Sequence, residues 1–132
     1  MNKILILTVL ILLVLTACES QTESPTVSTD SVPAEYAGKT NPFGAEAAAQ
    51  GAEVFKSNCQ MCHGEQGHGD GPASGSLDPQ PKNLAVLQQS VGDDYLFWRI
   101  SMGKPGTSMV AWKGILTDEQ IWQVVSFIRT LK

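Results

Sequence analysis

Apolar residues recur at helical spacing in three stretches of the chain. Ile121, Val124, Val125, Ile128 and Leu131 follow one another at intervals of three and four, which places them on one face of an α-helix. Thr117 stands where an N-cap belongs, with Gln120 as its capping-box partner and Leu116 positioned to staple onto Ile121. A second helix is predicted over Asp93–Met102: two acids open it, which suits the helix dipole, and Gly103 is a natural stop. A third covers Gly44–Asn58, rich in helix formers, with Ala48, Ala52 and Phe55 along one face. A shorter one spans Asn83–Gln89. No alternating strand pattern competes, so the fold is predicted all-α. Between Cys62 and Asn83 the chain is Gly, Pro and polar residues. A compact domain seldom holds so long a loop unless the loop has a job, and it is predicted to wrap something.

The N-terminal third has a different pattern. Lys3 precedes an almost unbroken apolar run, Ile4–Leu15, too short for a membrane span and suited to the core of a signal peptide. Glu19–Pro42 is rich in Ser, Thr, Glu and Pro; such a stretch buries too little surface to offset its ordering entropy and is predicted to be a flexible tether. The expected organisation is therefore a signal peptide over 1–17, a modified cysteine and tether over 18–42, and a folded domain over 43–132. The segment "LTAC", Leu15–Cys18, resembles the bacterial lipobox. That resemblance implies lipidation of Cys18 and a mature chain beginning there; an uncleaved helical anchor with a free thiol is the alternative. Either way, residues 19–132 are expected outside the cytoplasmic membrane, facing the periplasm or the outer side of that membrane.

Composition adds limits. With 132 residues the chain holds one small domain plus attachments, and its formal net charge of −4 argues against nucleic-acid binding. The three cysteines are Cys18, Cys59 and Cys62. The last two belong to "CQMCH", in which His63 follows directly. A C-x-x-C pair serves redox disulfides in strand-rich thioredoxin-like folds, and no such pattern is visible. It can form half of a zinc site, with His63 and His68 completing four ligands, although adjacent Cys62 and His63 turn awkwardly towards one metal. It can also attach haem c when a histidine follows. The two thiols would then bind the haem vinyl groups and the imidazole would face the iron. Export favours this use, and with Cys18 lipidated no free thiol is left over.

The chain at this point resembles the small class I c-type cytochromes. "GAEVFKSNCQMCHGEQGHGDGP" resembles their first helix and haem-attachment segment, "LDPQPKNL" the loop that follows, "GKPGTSMVAW" the distal-ligand loop and "LTDEQIWQVVSFIRTL" the last helix. The resemblance implies a cytochrome c fold: three to five helices around one covalently bound haem c, with long irregular loops, in the region of Gly51–Leu131. It implies that Gly51, Phe55 and Phe127 meet where the first and last helices cross. It implies Cys59, Cys62 and His63 as attachment and proximal ligand, and Met109 as distal ligand, in a loop that Pro105 and Gly106 can bend across the ring. Met61 lies inside the attachment motif, and Met102 ends a predicted helix, where packing is the expected role. The family has proline after the ligand methionine; Val110 stands here. The resemblance further implies that a carbonyl near Pro81 accepts the His63 ring proton and that the indole of Trp112 meets a haem propionate. Arg99 is expected to be a solvated helix residue, with offsetting propionate charge as the alternative, His68 an exposed loop histidine and Asp70 part of a turn with its glycine neighbours.

The function implied is electron transfer by a membrane-tethered mono-haem protein, not an enzyme in itself, acting either as a free carrier or as a subunit of an oxidoreductase complex. Its partners would be respiratory or photosynthetic redox proteins, such as a quinol-oxidising complex and a terminal oxidase. If Met109 does not bind iron, an open-site haem sensor or a peroxidase-like enzyme is the alternative.

Overall fold

A computed structural model describes residues 31–132. The expected signal peptide, Cys18 and the expected tether up to residue 30 lie outside the described residues. Among the described residues five helices follow in order: α1 (Ala48–Asn58), α2 (Gln60–His63), α3 (Leu84–Leu87), α4 (Asp93–Met102) and α5 (Asp118–Ile128). Short 3-10 turns at Ala45–Ala47 and Ser74–Ser76 complete the helical structure. Among the described residues there is no strand, only one isolated bridge between Lys113 and Leu116, and no helix is long and apolar enough to cross a membrane.

Helix α5 forms for the reasons its sequence carries. The Thr117 hydroxyl accepts from Gln120 N at 3.1 Å and the Gln120 side chain accepts from Thr117 N at 2.9 Å, a closed capping box. Its apolar face buries Ile121, Val124, Val125 and Ile128. Each contributes roughly 1.5–3 kcal/mol of transfer free energy.

Helices α1 and α5 cross at Gly51. A Cβ there would lie 1.8 Å from the carbonyl oxygen of Gln123, so the backbones touch and any side chain would force them apart. Phe55, on the same face of α1, meets Phe127 with ring centroids 5.0 Å apart. Helix α4 closes the core with Tyr95, Leu96, Phe97 and Ile100; Phe97 stacks on Trp122 at 4.0 Å. Gly103, at φ +66°, ends α4 in a conformation that other residues rarely adopt.

One boundary differs from expectation. Residues 33–42, which composition assigns to the tether, are docked on α4 and α5. Tyr36 is buried against Phe97 at 6.2 Å, with the Lys113 ammonium 5.9 Å from its ring centroid. Gly38 N donates to Asp94 and Asn41 N to Asp93. The Asn41 amide donates to Trp122 O at 3.1 Å and to Ser126 Oγ at 2.9 Å. Average composition hides that Val32 and Tyr36 lie towards the folded domain and pack against its core, and that the acids of α4 satisfy backbone donors of residues 33–42. Asp93 and Asp94 thus tie down a strap as well as suiting the helix dipole.

Candidate functional site

The reactive residues sit on one short turn. Cys59 ends α1 and caps α2, and the chain continues helically, with Cys62 N and His63 N donating to Cys59 O at 3.1 and 2.9 Å. Positions three and four apart on a helix are neighbours, so Cys59, Cys62 and His63 are gathered by local geometry alone. Gly64, at φ +77°, stops the turn.

The glycine-rich loop then folds back onto this turn. Gly69 N donates to His63 O at 2.8 Å, Gly71 N to Cys62 O at 3.2 Å and Ala73 N to Met61 O at 2.9 Å, so the carbonyls of α2 are satisfied by the loop's backbone. A Cβ at Gly71 would lie 2.5 Å from both Gln60 O and Met61 O. Here the glycine content has a concrete reason: backbone lies directly on backbone. Leu84 N, at the start of α3, donates to Gly67 O and fastens the far end.

Both cysteines are free thiols and half-buried. Burial, reinforced by the neighbouring Cys62, pushes the Cys59 thiol up from 9.0 to about 12. Burial holds His63 below its ordinary 6.5, opposed by the backbone of Lys82. The imidazole is therefore neutral at pH 7, the form that binds a metal. Its Nδ1 is buried without a partner at hydrogen-bond geometry, so the Lys82 backbone acts on the ring as a nearby dipole rather than through a formed bond. The family resemblance implies an acceptor near Pro81. The backbone that reaches the ring is that of Lys82, one residue on, while Pro81 O faces Gly69, where a Cβ would come within 2.3 Å. Phe55 flanks the imidazole at 6.4 Å.

Met109 lies half-buried against the core in a loop closed by its own backbone. Lys104 N donates to Met109 O at 2.9 Å, Met109 N to Thr107 Oγ1 at 3.1 Å, and Thr107 Oγ1 to Lys104 O at 2.8 Å. Downstream, Trp112 N and Lys113 N donate to Ile100 O and Ser101 O and pin the chain to the end of α4. The loop is thus held by hydrogen bonds without a proline at position 110, where Val110 is exposed. Met102 is exposed too, so the packing role expected for it is not found. Trp112, half-buried, packs against the same core as Met109 and Cys59.

His68 is exposed, with Nε2 3.3 Å from Lys132 O. Among the described residues no three His, Cys, Asp or Glu side chains converge as a zinc site requires. Arg99 departs most from expectation: it is buried, not solvated. The aromatic and apolar residues on both sides of it in "YLFWRI" were the available signal.

Comparison with known proteins extends this picture. Residues 46–128, more than half of the chain, match the family described as cytochrome C oxidase, cbb3-type, subunit III. The Cbb3-type cytochrome c oxidase subunit FixP of Rhizobium etli is 32% identical over 97 residues, covering 71% of this chain and 31% of that protein. A chain of the Kuenenia stuttgartiensis reducing HAO-like protein complex Kustc0457/Kustc0458 superposes with a TM-score of 0.59 at 21% identity, over 66% of this chain and 44% of that one. The chain thus spans about a third of the relative's length and under half of the structural neighbour's.

Proposed function

Because this chain belongs to the family of cytochrome c oxidase, cbb3-type, subunit III, and so is a class I c-type cytochrome with covalently bound haem c, we propose that it carries single electrons with Cys59 and Cys62 as thioether attachments, His63 as proximal ligand and Met109 as distal ligand. The observation that carries this reading is the single helical turn presenting two half-buried thiols and a neutral, half-buried imidazole whose Nδ1 is buried. Haem c supplies one-electron exchange at its iron. The residues present fit it: the thiols stand three apart on one turn, and half-buried Leu87, Trp98, Met109, Trp112 and Phe127 leave apolar surface for a flat apolar group to cover.

Each residue then has a task. His63 keeps Nε2 for the metal, while its buried Nδ1 lies towards the Lys82 backbone, which favours a proton there and orients the ring. The hydrogen-bonded 103–109 loop fixes the Met109 backbone, and a thioether ligand carried there would have little to move when the iron changed oxidation state. Thioether ligation favours reduced iron and raises the potential. Trp112, half-buried against the same core as Met109, would offer its indole donor to a propionate.

Beyond this, we propose export, lipidation at Cys18 and tethering to a membrane, with a quinol-oxidising complex as donor and a terminal oxidase as acceptor. The name of the Rhizobium relative supports the oxidase as the acceptor. A redox titration followed by absorption spectroscopy tests the core of the reading. A covalent haem, one-electron behaviour and a weak near-infrared sulfur-to-iron band that disappears in Met109→Ala are expected. High-spin iron that binds carbon monoxide readily would favour an open-site sensor or peroxidase instead.

A further inference from the structure

We propose that Arg99 is a positioning residue for the distal methionine: its buried guanidinium holds the Gly103 carbonyl at the base of the 103–109 loop and thereby sets how firmly Met109 stays on the iron. This rests on Met109 being the distal ligand.

Arg99 is only 8% exposed, in the last turn of α4. Burying a guanidinium is expensive unless its donors and charge are used. One use is on view: Nη1 donates to Gly103 O at 3.1 Å, four residues on, and so satisfies a carbonyl that the end of α4 leaves without a helical donor. The guanidinium lies over the Trp98 ring at 4.0 Å and near the Tyr95 ring at 5.5 Å, which confines the planar fork.

Gly103 passes this constraint on. At φ +66° it packs directly against the returning chain, where a Cβ would lie 2.4 Å from Met109 O and 2.6 Å from the carbonyl carbon of Val110. The next residue, Lys104, donates its N–H to that same Met109 O. The Gly103 carbonyl cannot shift without moving the backbone of residues 109 and 110. The path from guanidinium to ligand is therefore two contacts long: Arg99 to Gly103, and Gly103 to the Met109 backbone. A lysine keeps the charge but lacks the flat fork that the aromatic rings confine.

The test uses the haem-loaded protein. Ferric wild type, Arg99→Met, Arg99→Lys, Thr107→Val and the Arg99→Met/Thr107→Val double variant are titrated with imidazole, which competes with the methionine, while the near-infrared band is followed; urea unfolding is measured in parallel. Losing a hydrogen bond from a charged donor is expected to tighten apparent imidazole binding about tenfold or more in Arg99→Met and about threefold in Arg99→Lys. Thr107→Val loosens the same loop by another route, so its effect and that of Arg99→Met are expected to combine less than additively. If Arg99→Met does not fold, Arg99→Lys decides alone: a rise of about threefold supports the proposal and no change overturns it. Unchanged imidazole affinity with lowered urea stability would reduce Arg99 to a structural residue. A wild type that shows the band alongside unresponsive Arg99 variants removes this proposal only. A wild type without the band removes the Met109 ligand and this proposal together.

Discussion

At the α1–α5 crossing, a single backbone contact at Gly51 lets apolar side chains interlock around it: Phe55, Ile121, Val124 and Val125 are 0–2% exposed. Around α2 and the Met109 loop, backbone meets backbone. Glycines at positive φ bring carbonyls and N–H groups together, while Cys59, Met109 and Trp112 remain half-covered. The first region is finished by its own packing. The second has a shape enforced by hydrogen bonds and apolar surface left for something else to cover, and it includes a buried imidazole nitrogen without a partner. A small protein that must hold a large apolar cofactor gains from this division. Hydrogen bonds are directional and hold loops open, whereas side-chain packing alone would close the space.

The largest expected effect lies in the finished region. Gly51→Ala places a methyl group against Gln123 O and is expected to destabilise the haem-loaded protein by about 3 kcal/mol or more, or to prevent folding. Urea unfolding measures it, and a loss under about 1 kcal/mol would show that the crossing has slack.

The second prediction concerns the unfinished region before haem attachment. With its pKa raised from 9.0 to about 12, the Cys59 thiol is expected to react with iodoacetamide at pH 8–9 at least about a hundredfold more slowly than a free cysteine. Because the fold favours the protonated thiol, this contribution to stability is complete below pH 9.0 and is lost as pH rises towards 12. Cys59 alkylation as fast as that of a small thiol would mean that the turn is open until haem arrives.

Asn41→Ala asks to which region the strap belongs. It removes the donor to Trp122 O and Ser126 Oγ, and a loss of about 2 kcal/mol with unchanged redox potential is expected. A shift in potential would tie the strap to the haem side instead. The smallest effect is expected from Ser101→Ala. The Ser101 hydroxyl is fully buried without a partner among the described residues, so its removal should be neutral or stabilising by up to about 1 kcal/mol. A clear destabilisation would reveal a hydrogen bond made only in the haem-loaded form.

Much of this was legible beforehand, and the reason differs by element. Helix α4 was expected over Asp93–Met102 and is found there; α5 begins directly after its predicted cap. Caps, helix formers and glycine stops act within a few residues and need no distant partner. The meeting of Gly51, Phe55 and Phe127 was implied by family resemblance, and the structure shows the contact. Arg99 was misjudged because charge predicts exposure unless a particular carbonyl and a particular ring are waiting. The strap was misjudged because Tyr36 is one aromatic among polar neighbours, and its burial depends on Phe97, some sixty positions away.

The chain by itself determined which segments become helical and which chemistry the C-x-x-C-H turn offers, since both follow from residues within one or two turns of each other. Tertiary structure alone decided that a lysine backbone faces the His63 ring, that an arginine is buried beneath the Met109 loop, and that the end of a polar segment becomes part of the core surface. Those outcomes depend on which groups meet across the fold, and the energy of a buried charge or an orphaned ring nitrogen is set by such neighbours, not by its place in the chain.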